Sequence, residues 1–579
     1  MSNLAETIKR NPAVGWLILL LVMAIVILAA LIFSGITEKS AQTASLFNNV
    51  RKPIESIAPS FTNAQAPSKE YERKKVEIVK TTPAINAHND EWGVNFPREY
   101  DTWKKTRETD FKSKHLGNAP DDVLKDRPNM VVLWAGYAFS RDYSAPRGHW
   151  YTLYDMRATL RVGAPGVEKT NELQPGTCWT CKSPDVPRIM QEKTPGVYYS
   201  AHWSEWGPEI VNPLGCADCH DPKTMNLNIS RPALAEAFRR APEYNKAMEE
   251  DNPNLVQFLK RIREAGNDVN KATPNDKRTL VCAQCHVEYY FGEGKGKYLT
   301  FPWDRGLTVE DAERYYDNPI FTSVTPSSKG ELVDNQPFSD WIHGMSKAPM
   351  LKAQHPDFEI FMLGTHGKRG VSCADCHLPY KAEGGIKYTD HQIMSPLKNI
   401  AGTCQNCHRD SEERLRSYVY DNQDKVLEIR DRVEKELAKA HIMTKALLDS
   451  GKVTVESDEI KPVHKLLREA SWRWDYGVAS HGGSFHAPVE IARILSHALD
   501  KSLLAQIEVQ KLLTKHDVAV TFPDLDHWTK EDAQKYVGLN MEKLNAEKQE
   551  FLKTVVPGWI KDAADKGKLT DPELVNQYK

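Results

Sequence analysis

The chain carries no excess of charge of either sign. A formal net charge of −2 over 579 residues gives no bulk attraction to nucleic acid or to an acidic membrane surface. Cysteine is scarce: ten in all, and every one falls in a Cys-x-x-Cys pair, so no odd thiol is left over. Long apolar runs are scarcer still. A single one, Val14–Phe33, follows Lys9 and Arg10 and is just long enough to cross a bilayer. Neither a clean Ala-x-Ala cleavage site nor a lipobox cysteine accompanies it, which favours an uncleaved membrane anchor over residues 1–36 above a removed signal. Cleavage near Ser34–Thr43 is the alternative. Under either reading the chain is exported, with its bulk in the periplasm or on the outer face of the cytoplasmic membrane, because the basic residues precede the span.

The five cysteine pairs are not alike. Cys216–His220, Cys282–His286, Cys373–His377 and Cys404–His408 each read CxxCH, whereas Cys178–Lys182 reads CxxCK. CxxCH is the attachment signature of c-type haem: Cys178 and Cys181, Cys216 and Cys219, Cys282 and Cys285, Cys373 and Cys376, and Cys404 and Cys407 would each form two thioethers to one porphyrin. The adjacent imidazole reaches the iron, and a second one on the far face closes an electron-transfer haem. Lysine ligates only when deprotonated. Four haems of one kind and one of another suggest four that carry electrons and one that does chemistry. Zinc ribbons use paired CxxC units without requiring histidine after each second cysteine, and a thioredoxin-like pair would occur once beside a βαβ pattern.

The expected fold class is mainly α, a multihaem cytochrome c domain of loops and short helices followed by long amphipathic helices. Residues 37–90 read as a linker. Residues 91–410 hold all five motifs in an irregular, Gly-, Pro- and aromatic-rich stretch that needs little side-chain core if porphyrins supply the apolar surface; a polar helical insert is expected at Arg231–Glu264. Residues 411–579 turn helical. Apolar residues recur at helical spacing from Glu412 to Ser450, with Gly451 as the stop. Further helices are expected from Pro462 to Ser480, where Gly482-Gly483 breaks the pattern, from Pro488 to Lys515, and from Lys530 to Thr554. This region is either a packing bundle or an oligomer interface. No internal repeat appears beyond the motif itself.

Four bis-histidine haems need four more imidazoles. His149, His366 and His391 sit in Gly- or Asp-bearing loops, and His481 and His486 lie in the break between two helices. His88, His115, His441, His464, His497, His516 and His527 read as structural or solvent-facing.

The CWTCK unit, the four CxxCH units, Trp134–Tyr137 through Ser140–Tyr143 to Arg147–His149, Cys282–Tyr290, Leu351–His355 and Trp472–Trp474 together resemble the ammonia-forming, pentahaem cytochrome c nitrite reductases. The resemblance runs from about Glu91 to Pro557. It implies five covalent haem c groups and one Ca2+. Lys182 would be the proximal ligand of the catalytic haem, and His149, His391, His486 and His366 would complete the third, second, fourth and fifth haems in sequence. The family's distal arginine, tyrosine and histidine fall on Arg161, Tyr289 and His355. Calcium would be held by Glu288, the carbonyls of Tyr289 and Lys352, and Gln354, an oxygen donor set of the kind that ion prefers. Implied partners are nitrite, a membrane-bound multihaem quinol dehydrogenase or soluble cytochrome donor, and a second copy of the chain; nucleic acid is not among them. The front departs from the family, whose members usually carry a cleaved signal. Two rival functions remain at this stage: a pure multihaem electron conduit, and a related enzyme acting on hydroxylamine, tetrathionate or sulfite.

Overall fold

The computed structural model describes residues 86–115, 117–165, 174–240, 253–291, 298–317 and 337–576. The apolar run 14–33 and nearly all of the linker lie outside them; among the described residues no helix is long and apolar enough to cross a membrane. The described residues among 86–381 and 388–576 belong to one unit, which carries every cysteine pair. Helices dominate, as the sequence predicts. Strands are reduced to short pairs such as β1 (Tyr290–Phe291) with β2 (Leu299–Thr300) and β3 (Trp341–Ile342) with β4 (Pro349–Met350), both antiparallel.

Short helices punctuate the motif-bearing region, among them α1 (Asn129–Leu133), α2 (Pro232–Arg240), α3 (Pro253–Glu264) and α4 (Pro274–Ala283). Among the described residues the expected insert holds two helices, α2 and α3, each opening on a proline that suits a first turn. Thr273 caps α4, accepting from the Asp276 amide at 3.1 Å and donating to its carboxylate at 2.7 Å. The same carboxylate takes a two-pronged bond from Arg261 of α3, at 3.0 and 2.6 Å.

Beyond the fifth motif lie α5 (Glu412–Asp449), α6 (Lys461–Ala479) and α7 (Pro488–Lys515), within a residue of their expected bounds. Ser411 caps α5 by accepting from the Arg414 amide, and Gly451, at φ 70°, ends it in the left-handed conformation that glycine adopts at least cost. Val433, Leu437, Ala440 and Leu447 of α5 meet Leu467, Ala470 and Trp474 of α6 and Ile491, Ala498 and Val509 of α7 in one core, into which α1 inserts Met130–Leu133. The fourth predicted helix is two. α8 (Lys530–Tyr536) stops at Gly538, φ 84°, and α9 (Met541–Asp565) restarts with Asn540 capping the Lys543 amide at 3.0 Å. Apolar periodicity continues through this break, which is why periodicity alone reads it as one helix.

A second core overturns the expectation that porphyrins replace side chains. Trp103, Trp150, Trp179, Trp203, Phe258, Trp303 and Phe361 pack there with many aliphatic residues, and Phe551, Val556 and Ile560 of α9 belong to it. Trp179, inside CWTCK, stacks on Trp203 at 4.5 Å and 12°, and its Nε1 donates to the Trp203 carbonyl. Rings that wide bury large area. They form the walls against which attachment loops are fixed. Both cores draw on residues from either side of position 410.

Candidate haem centres and distal pocket

The five cysteine pairs lie close together. Cys181 of the first lies beside Cys285 of the third, and Cys282 of the third beside Cys373 of the fourth. Cys376 of the fourth lies within electrostatic range of Cys404 and Cys407, and Cys219 of the second within range of Cys285. The order in space is therefore fifth, fourth, third, first, with the second branching from the third. Cys407 and His408 are exposed, placing the fifth motif at the surface.

Histidines face the motifs at a telling separation. Ring centroids are 6.2 Å apart for His220 and His391, 6.3 Å for His377 and His486, and 6.2 Å for His366 and His408. Two imidazoles on opposite faces of one metal stand about 6 Å apart, from two bonds of about 2 Å and about 1 Å to each ring centre. The tautomers also suit ligation. Nδ1 of His220, His377 and His391 each meets a backbone carbonyl, of Met225 at 2.9 Å, Met394 at 2.9 Å and Thr389 at 2.8 Å, and Nδ1 of His286 meets Asp357 Oδ2 at 3.2 Å. A proton held at Nδ1 leaves the Nε2 lone pair for iron. Burial holds His220, His377 and His391 below their usual range, and His486 down to about 4, in the neutral form a ligand requires.

Glycines seat two of these rings. A Cβ on Gly148 would lie 2.0 Å from the Thr106 carbonyl, so the turn before His149 can pass only as glycine; a Cβ on Gly482 would meet the His486 ring at 2.4 Å. His149 stands apart from the other expected partners. Among the described residues no ring pair of that separation joins it to His286. His286 lies instead 6.4 Å from His355, and His149 is close enough to feel His286 and Lys182 electrostatically.

Lys182 turns its carbonyl to Thr152 Oγ1, at 2.9 Å, while its ammonium charge acts on both His149 and His355. His355 is 6.2 Å from the Tyr289 ring and 5.9 Å from His481, and burial, then Lys182, press its proton affinity well below normal. Arg161 lies over Phe139 at 4.6 Å; its Nε donates to Thr159 Oγ1 at 3.1 Å, and Thr159 donates to Asp142 at 2.9 Å. Fixing Nε leaves the outer edge of the guanidinium, two nitrogens with parallel N–H bonds, for an anion.

Beside this pocket sits an excess of buried acid. Glu288 accepts from the Gln354 amide at 2.7 Å and from Tyr316 at 3.1 Å. Asp340 accepts from the Lys352 amide at 2.8 Å, and Asp475 from Lys352 Nζ at 2.7 Å. Burial raises Asp340 to about 7 and nearby Glu359 to about 8. With one lysine among four buried acids, the acids tend to keep their protons, a setting in which a hard cation would favour the ionised form. Among the described residues no three His, Cys, Asp or Glu side chains converge as a metal cage; one carboxylate with carbonyls and an amide is a donor set of another kind, of the sort calcium takes.

Several residues the motifs do not announce belong here. His481 contributes Nε2 to Tyr143 OH at 3.3 Å instead of facing a CxxCH imidazole. Asp357, Asp142 and Thr159 act through others. Of the remaining histidines, His115 pairs with Asp424, His516 with Glu459 and His527 with Asp524, and His88 meets Thr570. His441 and His464 lie in the helical core with His343, around Ser346.

Five attachment sites in one relay, one of them lysine-bearing beside an arginine, tyrosine and histidine, define a multihaem c-type cytochrome with one distinct centre. The profile of the cytochrome c552 family matches residues 88–568, and the chain belongs to that family; its cysteine pairs carry covalent haem c. Cytochrome c-552 of Bacteroides fragilis is 50% identical over 555 residues, covering 96% of this chain and 98% of that one. The Porphyromonas gingivalis protein is 47% identical, over 96% and 97%, and that of Haemophilus influenzae 40%, over 95% and 94%. A solved cytochrome c nitrite reductase from Desulfovibrio desulfuricans, whose catalytic subunit has two calcium sites, aligns with a TM-score of 0.64 at 26% identity, covering 82% of this chain and 94% of that one. The fold and the family resemblance read from the motifs are both borne out.

Proposed function

We propose that the protein reduces nitrite to ammonium, NO2− + 8 H+ + 6 e− → NH4+ + 2 H2O, at the haem of the CxxCK motif. The observation that carries this reading is the contrast between sites. Three CxxCH imidazoles face a second imidazole at the separation of a closed iron, while Lys182 lies in electrostatic range of His355, which neighbours Tyr289. When bound, the haem of this site supplies an iron that coordinates nitrite and passes electrons to it.

The chain's residues supply the rest. Arg161, held at Nε by Thr159, neutralises the anion and polarises its N–O bonds. His355, kept neutral by burial, accepts a proton from solvent and returns it to a departing oxygen. Tyr289, 6.2 Å from His355, donates its hydroxyl into the same space. Lys182 would hold the iron of this site as a free amine. His149 would complete the third haem, His391 the second, His486 the fourth and His366 the fifth, and the exposed fifth motif would be the entry for electrons. Glu288, the Tyr289 and Lys352 carbonyls and Gln354 would hold calcium, tying the pocket's tyrosine to the segment that bears His355.

The donor is a membrane-bound multihaem quinol dehydrogenase or a soluble cytochrome, on the periplasmic or outer face of the membrane, with residues 14–33 as anchor. Leu503, Leu504 and Ile507 of α7, 40%, 45% and 51% exposed, form an apolar face at helical spacing that supports a homodimer through this region. Ammonium measured from nitrite with a low-potential donor tests the activity. No ammonium, with no spectral response to nitrite, makes the protein an electron conduit; turnover of hydroxylamine or sulfite without nitrite makes it a different reductase.

A further inference from the structure

Three of the attachment loops meet at one buried arginine, the first two at its guanidinium and the third at its backbone amide. Arg231 precedes α2, and its side chain has no exposed surface. Its Nε donates to the Thr180 carbonyl at 2.9 Å and its Nη2 to the Ser183 carbonyl at 2.8 Å, both in the loop of the first motif. The same Nη2 reaches Asp218 Oδ1 at 2.5 Å, in the second motif. Its Nη1 donates to Ser230 Oγ at 2.6 Å, which in turn donates to the Asp218 carbonyl at 3.1 Å. The Arg231 amide donates to Gln284 Oε1 at 3.1 Å, in the third motif, and Gln284 Nε2 donates to the Asp218 carbonyl at 2.8 Å. Thr180, Asp218 and Gln284 are the same position in three motifs, the residue before the second cysteine.

We propose that Arg231 is a positioning residue that locks the attachment loops of the first three haems into one unit and supplies their shared buried positive charge. Each porphyrin is held by its loop through two thioethers, so a loop that shifts carries its haem with it. The planar fork of arginine meets several acceptors at once in fixed directions, which lysine does not. Asp218 compensates the charge, so the loops gain direction without an unpaired ion. The fourth motif lies outside this node: its equivalent residue, Asp375, takes Arg278 instead, at 2.8 Å. The inference rests on the haem reading and not on nitrite as substrate.

The test uses the holoenzyme with R231K and R231M. Haem load per motif is read by peptide mass, midpoint potentials by optical titration, and electron arrival at the lysine-ligated haem by stopped-flow reduction without nitrite. R231M is expected to move the potentials of the first three haems negative, since loss of the cation leaves Asp218 uncompensated and its negative charge favours the oxidised iron. The fourth and fifth are expected to stay in place, and electron arrival is expected to slow. The double variant R231M/D218N is expected to restore the potentials and not the rate, because charge is rebalanced while the fork is gone. Loss of haem confined to the first three motifs also supports the proposal. Where R231M yields no folded protein, R231K decides it: slower arrival at near-normal potentials is expected. Full haem load with unchanged potentials and unchanged arrival rate in R231M, or unchanged arrival in R231K if only that variant folds, overturns it. Ammonium formation by the unaltered protein, measured alongside, separates failure here from failure of the nitrite reading.

Discussion

Replacing Lys548 by methionine is expected to stabilise the protein near neutral pH and to do nothing useful in alkali. Lys548 of α9 is 3% exposed; its ammonium donates to the Arg157 carbonyl at 3.0 Å and lies 4.9 Å from the Phe551 ring. Burial lowers its proton affinity to about 7, against a weak pull upward from Asp142. An unfolded lysine titrates near 10.4, so between these values the unfolded chain holds the extra proton and stability rises with pH, by about 1.4 kcal/mol per unit. Over that window the burden is about 4 kcal/mol at pH 7 and vanishes near pH 10. Methionine removes it and loses one hydrogen bond, about 1 kcal/mol, so the variant gains about 2–3 kcal/mol at pH 7. The gain falls steadily to a small loss in alkali. Guanidinium unfolding of both proteins at several values between pH 7 and 10, followed by tryptophan fluorescence, reads the difference directly. A difference that does not change with pH refutes the reasoning, because then the buried amine is not what titrates.

Other consequences concern the site and the core. Thr159→Val removes the bond that holds Arg161 Nε; at about 1 kcal/mol it is expected to raise KM for nitrite about fivefold with haem potentials unchanged, as steady-state kinetics would read. Lys182→His converts the first motif to CxxCH, and is expected to keep all five haems by mass while lowering kcat for ammonium about tenfold, 1.4 kcal/mol of barrier. Leu437→Ala opens a void at the seam of α5 with α6 and α7, where Leu437 has no exposed surface; the expected cost is about 2–5 kcal/mol, read as a lower denaturation midpoint with the haem spectrum intact before unfolding.

The local chemistry was legible because it is written in adjacent residues. Two thioethers and a proximal ligand must come from one short loop, so CxxCH and CxxCK stand out without any knowledge of the fold. Long helices are legible for a similar reason: Gly451 and Pro488 mark ends set by local backbone geometry. What the chain brings together from afar is not written that way. His391 reaches His220 because its amide is anchored on Thr102 Oγ1 at 2.9 Å, a residue in a different segment that no spacing rule connects to either histidine. His481 and His486, five residues apart in one Gly-rich turn, look equivalent in sequence; only the fold sends one toward His377 and the other to Tyr143.

The second core carries the same lesson at the level of packing. A chain rich in Gly, Pro and aromatics reads as loops wrapped on cofactors, yet loops that must hold a metal ligand to within a fraction of an ångström need walls that do not move. Trp179 meets this need inside the first motif: its ring is clamped on Trp203, and Trp203 leans on Phe551 of α9. Arg231 meets it for the polar side of the same loops, where carbonyls that turn inward would otherwise be buried without donors. Stacking on Trp203 and a satisfied guanidinium at the Thr180 carbonyl both fix the CWTCK loop. The residues between the cysteines are therefore not filler: Trp179 and Thr180 hold the loop that carries Lys182.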